Sequence, residues 1–238
     1  MGDIKDFVDL VVAETGAHPL IIFGSGLQGS GRSFLADLTR RKFEEMKIPV
    51  ERMSAGKMFR DVAEEQGLSI DEFAELQANA PDKFYSLNLS VDITIHESMW
   101  EKSQEGVVVV DSNLAAYHAE TPNAYTILVH AKPEVVGERV YRAKRRGDAA
   151  FSSPEDALRQ MVERTREDVH LYRQLSSITR DNFWKMVYRV AAGDMENVLE
   201  NILRGNVPQS PFFHKTINNS GPPENAWEEM DEVFRAQQ

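Results

Sequence analysis

The chain has 238 residues, of which 42% are hydrophobic and 27% are charged, a composition typical of one soluble globular domain or of one domain with a tail. The absence of cysteine excludes disulfides, thiolate metal sites and cysteine nucleophiles. The net charge of −11 argues against DNA or RNA binding, because phosphate backbones require clustered lysine and arginine. No apolar stretch is long enough to span a membrane, and the first residues lack a signal-peptide pattern, so we expect a cytoplasmic protein with no membrane contact.

Hydrophobic periodicity predicts helices and strands that alternate along the chain. Residues 3–15 have helical spacing, and the apolar run at 19–23 predicts a buried strand that ends in a glycine-rich turn. Further strands are predicted at residues 50–53, 107–110, 125–130 and 186–190, and further helices at 34–47, 55–66, from 69 onwards, 82–102, 133–146, 154–175 and 194–204. This alternation predicts an α/β fold with a doubly wound, five-stranded parallel sheet.

The composition changes after residue 205, because four of the ten prolines fall within the segment 206–238. We therefore predict one domain over residues 1–205 and a C-terminal tail over residues 206–238. The tail has a short amphipathic helical pattern at 224–235, with Trp227, Met230 and Phe234 on one side. The sequence leaves open whether this stripe packs on its own domain, mediates self-association or binds a partner.

A glycine-rich motif directly follows the first predicted strand. Residues 26–33, G-L-Q-G-S-G-R-S, match the pattern G-x-x-x-x-G-K-[ST] at every fixed position except the lysine, which is Arg32. Glycines let backbone N–H groups turn inward around an anion, and the following helix adds its N-terminal dipole. The motif predicts a nucleotide phosphate site formed by Gly26, Gly29, Ser30, Gly31, Arg32 and Ser33. Arg32 would reach the phosphates and Ser33 would bind Mg²⁺; the alternative is a structural turn.

Three stretches beyond this motif match one family of enzymes. Residues 54–60 have the sequence S-A-G-K-M-F-R, residues 65–73 have E-Q-G-L-S-I-D-E-F, and Arg166, Glu167 and Arg173 follow further along the chain. Over about residues 19–204 the chain resembles nucleoside monophosphate kinases, most closely the archaeal-type cytidylate kinases. In that family S-A-G-x-x-F-R follows the second strand, and R-E and R lie on the helix that returns from the lid.

The resemblance implies a fold, an activity and a set of ligands. The fold is that of P-loop NTPases of the adenylate-kinase type, with a helical lid over about residues 139–175. The activity is phosphoryl transfer from ATP or GTP, with magnesium, to a small nucleotide acceptor, for which CMP or dCMP is the first candidate. The chain departs from the family at the end of the third predicted strand, where E-G-R is replaced by D-S-N at residues 111–113, so an acceptor-binding arginine is absent. The lid-return helix and the stretch 176–183 also differ, so the resemblance extends to the fold more fully than to cytidine specificity.

The acceptor side is predicted to include Ser54, Lys57, Arg60 and Asn113. Ser54 would hydrogen-bond the acceptor nucleotide or only cap its helix. Arg60 would clamp the acceptor phosphate with two hydrogen bonds, or would pair on the surface with Asp61 or Glu64. Asn113 would replace the missing arginine contact or would form a turn.

Asp111 and a group of arginines complete the predicted site. Asp111 ends an apolar strand at the edge where ligands of open α/β sheets bind, which predicts that it joins Ser33 in the Mg²⁺ shell, unless it only caps the strand. Five arginines are predicted to act on the transferred phosphoryl group, and those of the lid would close over it. They are Arg32, Arg145, Arg146, Arg166 and Arg173. The alternative for the lid arginines is a solvated face paired with Glu138, Glu163, Glu167 and Asp168.

Two functional hypotheses follow from these observations. The first is an ATP- and Mg²⁺-dependent kinase for a nucleoside monophosphate. The second is a catalytically weak or inactive nucleotide-binding protein, which Arg32 and Asn113 favour because each departs from the kinase pattern. A kinase for another small acceptor is a variant of the first hypothesis.

Overall fold

The computed structural model describes residues 4–119, 121–143 and 151–236. Its helices are α1 (Ile4–Thr15), α2 (Arg32–Glu45), α3 (Ala55–Glu65), α4 (Ile70–Asn79), α5 (Pro81–Ser103), α6 (Pro133–Ala143), α7 (Pro154–Ile178), α8 (Asn182–Leu203) and α9 (Pro223–Ala236). Its strands are β1 (Leu20–Ser25), β2 (Val50–Ser54), β3 (Val107–Asp111), β4 (Ala124–His130) and β5 (Lys215–Asn218). Within the described ranges, no helix combines the length and the apolar content that crossing a bilayer requires.

The five described strands form one parallel sheet in the order β2-β3-β1-β4-β5. The central strands β1 and β3 are buried along their whole length. Their nearly continuous apolar sequences fit strands that are covered by helices on both faces. The structure thus confirms the predicted α/β fold with a five-stranded parallel sheet.

Alternate residues of the strands fill two separate cores on the two faces of the sheet. On one face, Ile21 and Phe23 of β1 pack among residues of α1, α2 and α9. On the other face, Leu20 and Ile22 pack against α5. The alternation follows from the two-residue period of a strand, and it leaves the ends of the strands as the place where polar side chains gather.

The carboxyl edge of the sheet brings several of the predicted site residues together. Because the strands are parallel, Ser25, Ser54 and Asp111 end β1, β2 and β3 at the same edge. Ser54 lies directly beside Asp111 in the ladder between β2 and β3. Ligands of open α/β sheets bind at this edge, so the fold places the glycine-rich loop and the S-A-G-K-M-F-R motif around one site.

The fifth strand differs from the prediction. The sequence predicted a strand at residues 186–190, but these residues lie in α8, and the fifth strand is β5. The buried residues of α8 recur every three or four positions, as Trp184, Val187, Ala191 and Met195 illustrate. The strand prediction was wrong because the β-branched and aromatic residues of this stretch favour a strand locally, whereas tertiary packing holds them in a helix.

The segment after residue 205 packs on the rest of the chain. Ile217 of β5 lies beside Val129 of β4 and is fully buried. Met230 and Phe234 of α9 are also fully buried, and the ring of Phe234 lies 5.1 Å from that of Phe7 in α1. The stripe of the predicted tail therefore packs on its own domain, one of the alternatives that the sequence left open. These two side chains are not free to bind a partner or a second copy.

Candidate active site

The glycine-rich loop joins the central strand β1 to the N-terminus of α2. β1 ends at Ser25, and α2 begins at Arg32 with Gly31 as its N-cap residue. Gly31 has a φ of 94° and no side chain to cap the helix, so the first amide groups of α2 have neither an intrahelical acceptor nor a side-chain cap. The strand, the loop and the helix lie where the sequence predicts them, and amides at a helix N-terminus are suited to an anion.

The glycines of the loop are required because other elements pack closely against it. A Cβ atom on Gly26 would lie 2.2 Å from Cγ1 of Val198 in α8, and one on Gly31 would lie 2.2 Å from Nδ2 of Asn219. Both distances are far below van der Waals contact. Substitution of either glycine would therefore displace the loop from the sheet edge.

Ser30 is a buried polar residue inside the loop that lacks a partner for its side chain. It is 1% exposed, and its hydroxyl makes no hydrogen bond with any described residue. Its carbonyl accepts a hydrogen bond of 2.8 Å from Nδ2 of Asn219. A buried hydroxyl without a partner is costly unless a ligand satisfies it, so Ser30 fits a loop that binds phosphate oxygens.

Arg32 is held by polar side chains at the end of β3. Its Nε forms an ion pair with Oδ1 of Asp111, and its Nη1 donates a hydrogen bond to Oδ1 of Asn113. The same oxygen of Asn113 accepts hydrogen bonds from the backbone N–H and the hydroxyl of Ser25, at 3.0 and 3.2 Å. Asn113 thus links the loop entrance to Arg32 instead of adding a cation of its own.

Arg52 of β2 is a second cation at this point, and the sequence analysis missed it. Its Nη2 lies 3.0 Å from Oδ2 of Asp111, and its Nε lies 2.7 Å from Oδ1 of Asp37. Arg52 lies outside the S-A-G-K-M-F-R motif, so no motif pointed to it. One signal in the sequence could have pointed to it, namely that a charged residue stands in a strand directly before the buried Met53.

The predicted metal shell at Asp111 does not fit a cation in this arrangement. Asp111 is 2% exposed, and each of its carboxylate oxygens faces a guanidinium group, that of Arg32 or that of Arg52. Among the described residues, no group of three His, Asp or Glu side chains is placed to hold a metal. Ser33, the other predicted ligand, is exposed in the first turn of α2.

The acceptor motif forms the end of β2 and the beginning of α3. Ser54 is the N-cap residue of α3 by position, but its side chain makes no capping hydrogen bond. Arg60 is exposed and forms no ion pair with any described residue, and its Nη1 lies 3.7 Å from the position of a Cβ atom on Gly56. Asp61, a partner that the surface alternative assigned to Arg60, pairs with Lys57 at 2.5 Å. Arg60 of α3 thus has no counter-ion among the described residues, whereas Lys57 is paired with Asp61.

Helices α6 and α7, which include most of the region predicted to be a lid, contact the glycine-rich loop through an apolar and an acidic side chain. A Cβ atom on Gly29 would lie 2.7 Å from Cγ2 of Val140 in α6. Nε2 of Gln28 donates a hydrogen bond of 2.8 Å to Oδ2 of Asp168 in α7. Burial raises the pKa of Asp168, and the hydrogen bond from Gln28 opposes this shift. The region predicted to be a lid therefore contacts the loop at its base.

The two predicted lid arginines that the structure describes, Arg166 and Arg173, pair with acids of α8. Arg166 lies 4.0 Å from Glu200, and Arg173 pairs with Glu196, so both are exposed on α7 and face acids of α8. This arrangement matches the alternative of a paired surface, although the partners are not the acids that the sequence named. Arg145 and Arg146 lie outside the described residues.

Comparisons with known proteins place the chain in a family. No family model matches it. The cytidylate kinase of Methanopyrus kandleri is 30% identical over 168 residues, which cover 67% of this chain and 77% of that protein. The cytidylate kinase of Pyrococcus horikoshii is 31% identical over 159 residues, 67% of this chain and 72% of that protein. The cytidylate kinase of Archaeoglobus fulgidus is 29% identical over 183 residues, 76% of this chain and 91% of that protein.

A solved structure shares the fold of this chain. The crystal structure of TT1252 from Thermus thermophilus superposes with a TM-score of 0.52 and 19% identity, over 93% of this chain and 99% of that one. This likeness concerns the fold alone. The identity to the curated relatives over two thirds of the chain shows more, namely that the chain belongs to the cytidylate kinase family of nucleotide kinases, which are phosphotransferases.

Proposed function

We propose that the protein transfers a phosphoryl group from ATP or GTP to a nucleoside monophosphate, with CMP or dCMP as the first candidate. The observation that supports this most directly is that two groups suited to bind anions lie at one sheet edge. The uncapped N-terminus of α2 follows β1 and the loop. Arg60, which forms no ion pair with a described residue, lies on the helix that follows β2. Only β3 separates these two strands, so two phosphate groups bound there would be neighbours.

The loop side is proposed to hold the donor. Phosphoryl transfer needs in-line positioning and positive charge around the transferred group, and little covalent help from the protein. The amides of Gly29, Gly31, Arg32 and Ser33, the last two at the N-terminus of α2, would bind the phosphate chain. The hydroxyl of Ser30 would gain the partner that it lacks, and Arg32 would contribute the cation that lysine supplies in the full motif.

The β2 side is proposed to hold the acceptor. Arg60 would bind the acceptor phosphate, because it is exposed and has no counter-ion among the described residues. The hydroxyl of Ser54 is not used in a capping bond and is free to bind the acceptor nucleotide. Cytidine as the base rests on the names of the relatives, since no described side chain identifies a base here.

Magnesium belongs to the proposal only as a companion of the donor. Bound to the phosphates, it would add positive charge next to the transferred group. Of the two predicted ligands only Ser33 is free for this role, because Asp111 faces two guanidinium groups. The metal usually keeps several waters and binds through substrate phosphates, so a site with one protein ligand is compatible with it.

The test is a coupled assay on the purified chain. ATP and GTP are each offered with every nucleoside monophosphate and deoxynucleoside monophosphate, with magnesium and with a chelator. We expect CMP or dCMP to give the highest kcat/KM, and turnover to stop without magnesium. A folded chain that binds ATP but turns over no acceptor would overturn the proposal and would leave the nucleotide-binding hypothesis.

A further inference from the structure

Asn219 is a buried polar residue that joins three parts of the structure at the phosphate loop. It directly follows β5 and is 3% exposed. Its backbone N–H donates to the carbonyl of His130 at the end of β4, at 2.8 Å. Its own carbonyl accepts a hydrogen bond of 2.6 Å from Nη1 of Arg139 in α6. Its backbone is thus fixed from two sides, by β4 and by α6.

The side chain of Asn219 makes a single hydrogen bond with the described residues, and that bond goes to the loop. Nδ2 donates to the carbonyl oxygen of Ser30 at 2.8 Å, between buried groups. A carbonyl oxygen can only accept, so the amide nitrogen of Asn219 must face it. The bond spans 189 residues of sequence and starts beyond the stretch, about residues 19–204, that resembles the kinase family.

The geometry of the peptide bond gives this contact a consequence for the site. The carbonyl of Ser30 and the N–H of Gly31 belong to one planar trans peptide unit, so they point in opposite directions. A carbonyl held toward Asn219 therefore turns the N–H of Gly31 away from Asn219. Gly31 has a φ of 94° and precedes the first turn of α2, so the orientation of this peptide also sets how the helix N-terminus begins.

We propose that Asn219 is a positioning residue that orients the Ser30–Gly31 peptide so that its N–H faces the bound phosphate chain of a nucleoside triphosphate. This proposal rests on the proposed function for the identity of the ligand. Asn219 does not touch the phosphate, and it acts through the loop. The segment after residue 205 thus supplies a determinant of the donor site as well as the last strand of the sheet.

The experiment compares Asn219→Ala and Asn219→Asp with the matched control Asn218→Ala. Asn218 is the neighbouring exposed residue, and its side chain accepts hydrogen bonds from Ser220. ATP binding to each full-length variant is measured by calorimetry without acceptor. We expect about tenfold weaker binding for Asn219→Ala, the loss of roughly one buried hydrogen bond, and an unchanged KM for the acceptor. Asn219→Asp keeps the size of the side chain, but a carboxylate cannot donate a hydrogen bond to the carbonyl of Ser30, so this variant should bind ATP at least as weakly as Asn219→Ala.

Hydrogen exchange on the ligand-free chains gives a second readout that does not depend on activity. The amides of Ser30 and Leu35 are bonded to the carbonyls of Leu27 and Gly31. We expect them to exchange about tenfold faster in Asn219→Ala, and β5 and α9 to exchange as in the wild type. A purely structural role would accelerate exchange in all three segments.

Several outcomes would overturn the proposal. These are wild-type ATP affinity and loop exchange in both Asn219 variants, an equal rise in donor and acceptor KM, or failure of both variants to fold. If the wild type itself binds no ATP, the proposed function fails, and the exchange data on the free chains still decide whether Asn219 orients the loop.

Discussion

Asp92 makes the stability of the protein depend on pH in a way that can be calculated. It lies in α5, is 6% exposed, and accepts a hydrogen bond of 2.7 Å from the hydroxyl of Tyr188. Burial raises the pKa of Asp92 from 3.8 to about 7, and the bond from Tyr188 opposes the shift only in part. Because the folded pKa lies above the unfolded value, the folded state binds this proton more tightly. The associated stability is complete below about pH 4 and is lost as pH rises through 7.

The magnitude follows from the size of the shift. A difference of about 3 pKa units corresponds to roughly 4 kcal/mol, at about 1.36 kcal/mol per unit. The substitution Asp92→Asn would imitate the protonated acid, since an amide is neutral, has nearly the same shape and still accepts the bond from Tyr188. Between pH 5 and pH 8 the free energy of unfolding of the wild type should therefore fall by roughly 3 kcal/mol relative to Asp92→Asn. Other titrating groups affect both proteins equally and cancel in the difference.

Urea unfolding at pH 5, 6.5 and 8 measures this difference. Asp9→Asn, which changes an exposed acid on α1, serves as the control and should track the wild type at each pH. We expect Asp92→Asn to be the more stable protein at pH 8, with the gap narrowing toward pH 5. A difference that stays constant within about 1 kcal/mol over this range would refute the raised pKa of Asp92.

Three substitutions test the site itself. Arg60→Met should raise the acceptor KM by about tenfold or more and leave the donor KM unchanged, because a charged hydrogen bond to phosphate is lost. The control Lys57→Met changes a residue that is already paired on the surface and should change neither KM. Equal effects of the two substitutions on the acceptor KM would contradict the acceptor role of Arg60. Gly31→Ala should lower the free energy of unfolding by about 1–2 kcal/mol or more, because position 31 has a positive φ and little space for a Cβ atom. It should also weaken ATP binding, and urea unfolding and calorimetry measure the two effects. Wild-type values of both would show that the loop tolerates a side chain at position 31. Arg52→Met should lower the free energy of unfolding, measured in urea, by roughly 1–3 kcal/mol, because Arg52 pairs with the buried Asp111. The control Arg40→Met removes an ion pair on the surface of α2 and should lower it by less than about 1 kcal/mol. Similar losses in the two variants would mean that Arg52 is not bound to a buried carboxylate.

The parts of the fold that the sequence predicted well have strong local causes. The loop between β1 and α2 needs glycine at Gly31, where φ is positive, and the preceding apolar run has little choice but to be a buried strand. The four valines of β3 and the capping signals of α4 and α7 are equally local. In α4, Ser69 and Glu72 form both bonds of a capping box, as their spacing predicts.

The parts that the sequence did not predict depend on partners that are distant in the chain. The stretch around Tyr188 is helical because one side of α8 packs on α7 and on the turn at Leu114 and Tyr117, and because the hydroxyl of Tyr188 reaches Asp92. β5 contains one fully buried apolar residue, Ile217, and forms because the edge of β4 offers backbone partners. Neither cause is visible in a window of neighbouring residues.

The most informative of these distant contacts is the network around Asp111, because it changes how the departures from the kinase motifs are understood. Taken singly, Arg32 in place of lysine and Asn113 in place of arginine suggest a weakened site. In the structure they meet, since Arg32 donates to Asn113, and Arg52 from the neighbouring strand adds a second guanidinium to Asp111. The same sheet edge that lacks a cation at position 113 thus carries one from β2, and that cation contacts the carboxylates of Asp111 and Asp37. Both guanidinium groups beside the loop are paired with carboxylates in this arrangement. They would add positive charge around a transferred phosphoryl group only if a bound phosphate competes with Asp111 for them, and this competition is the question that Arg52 raises.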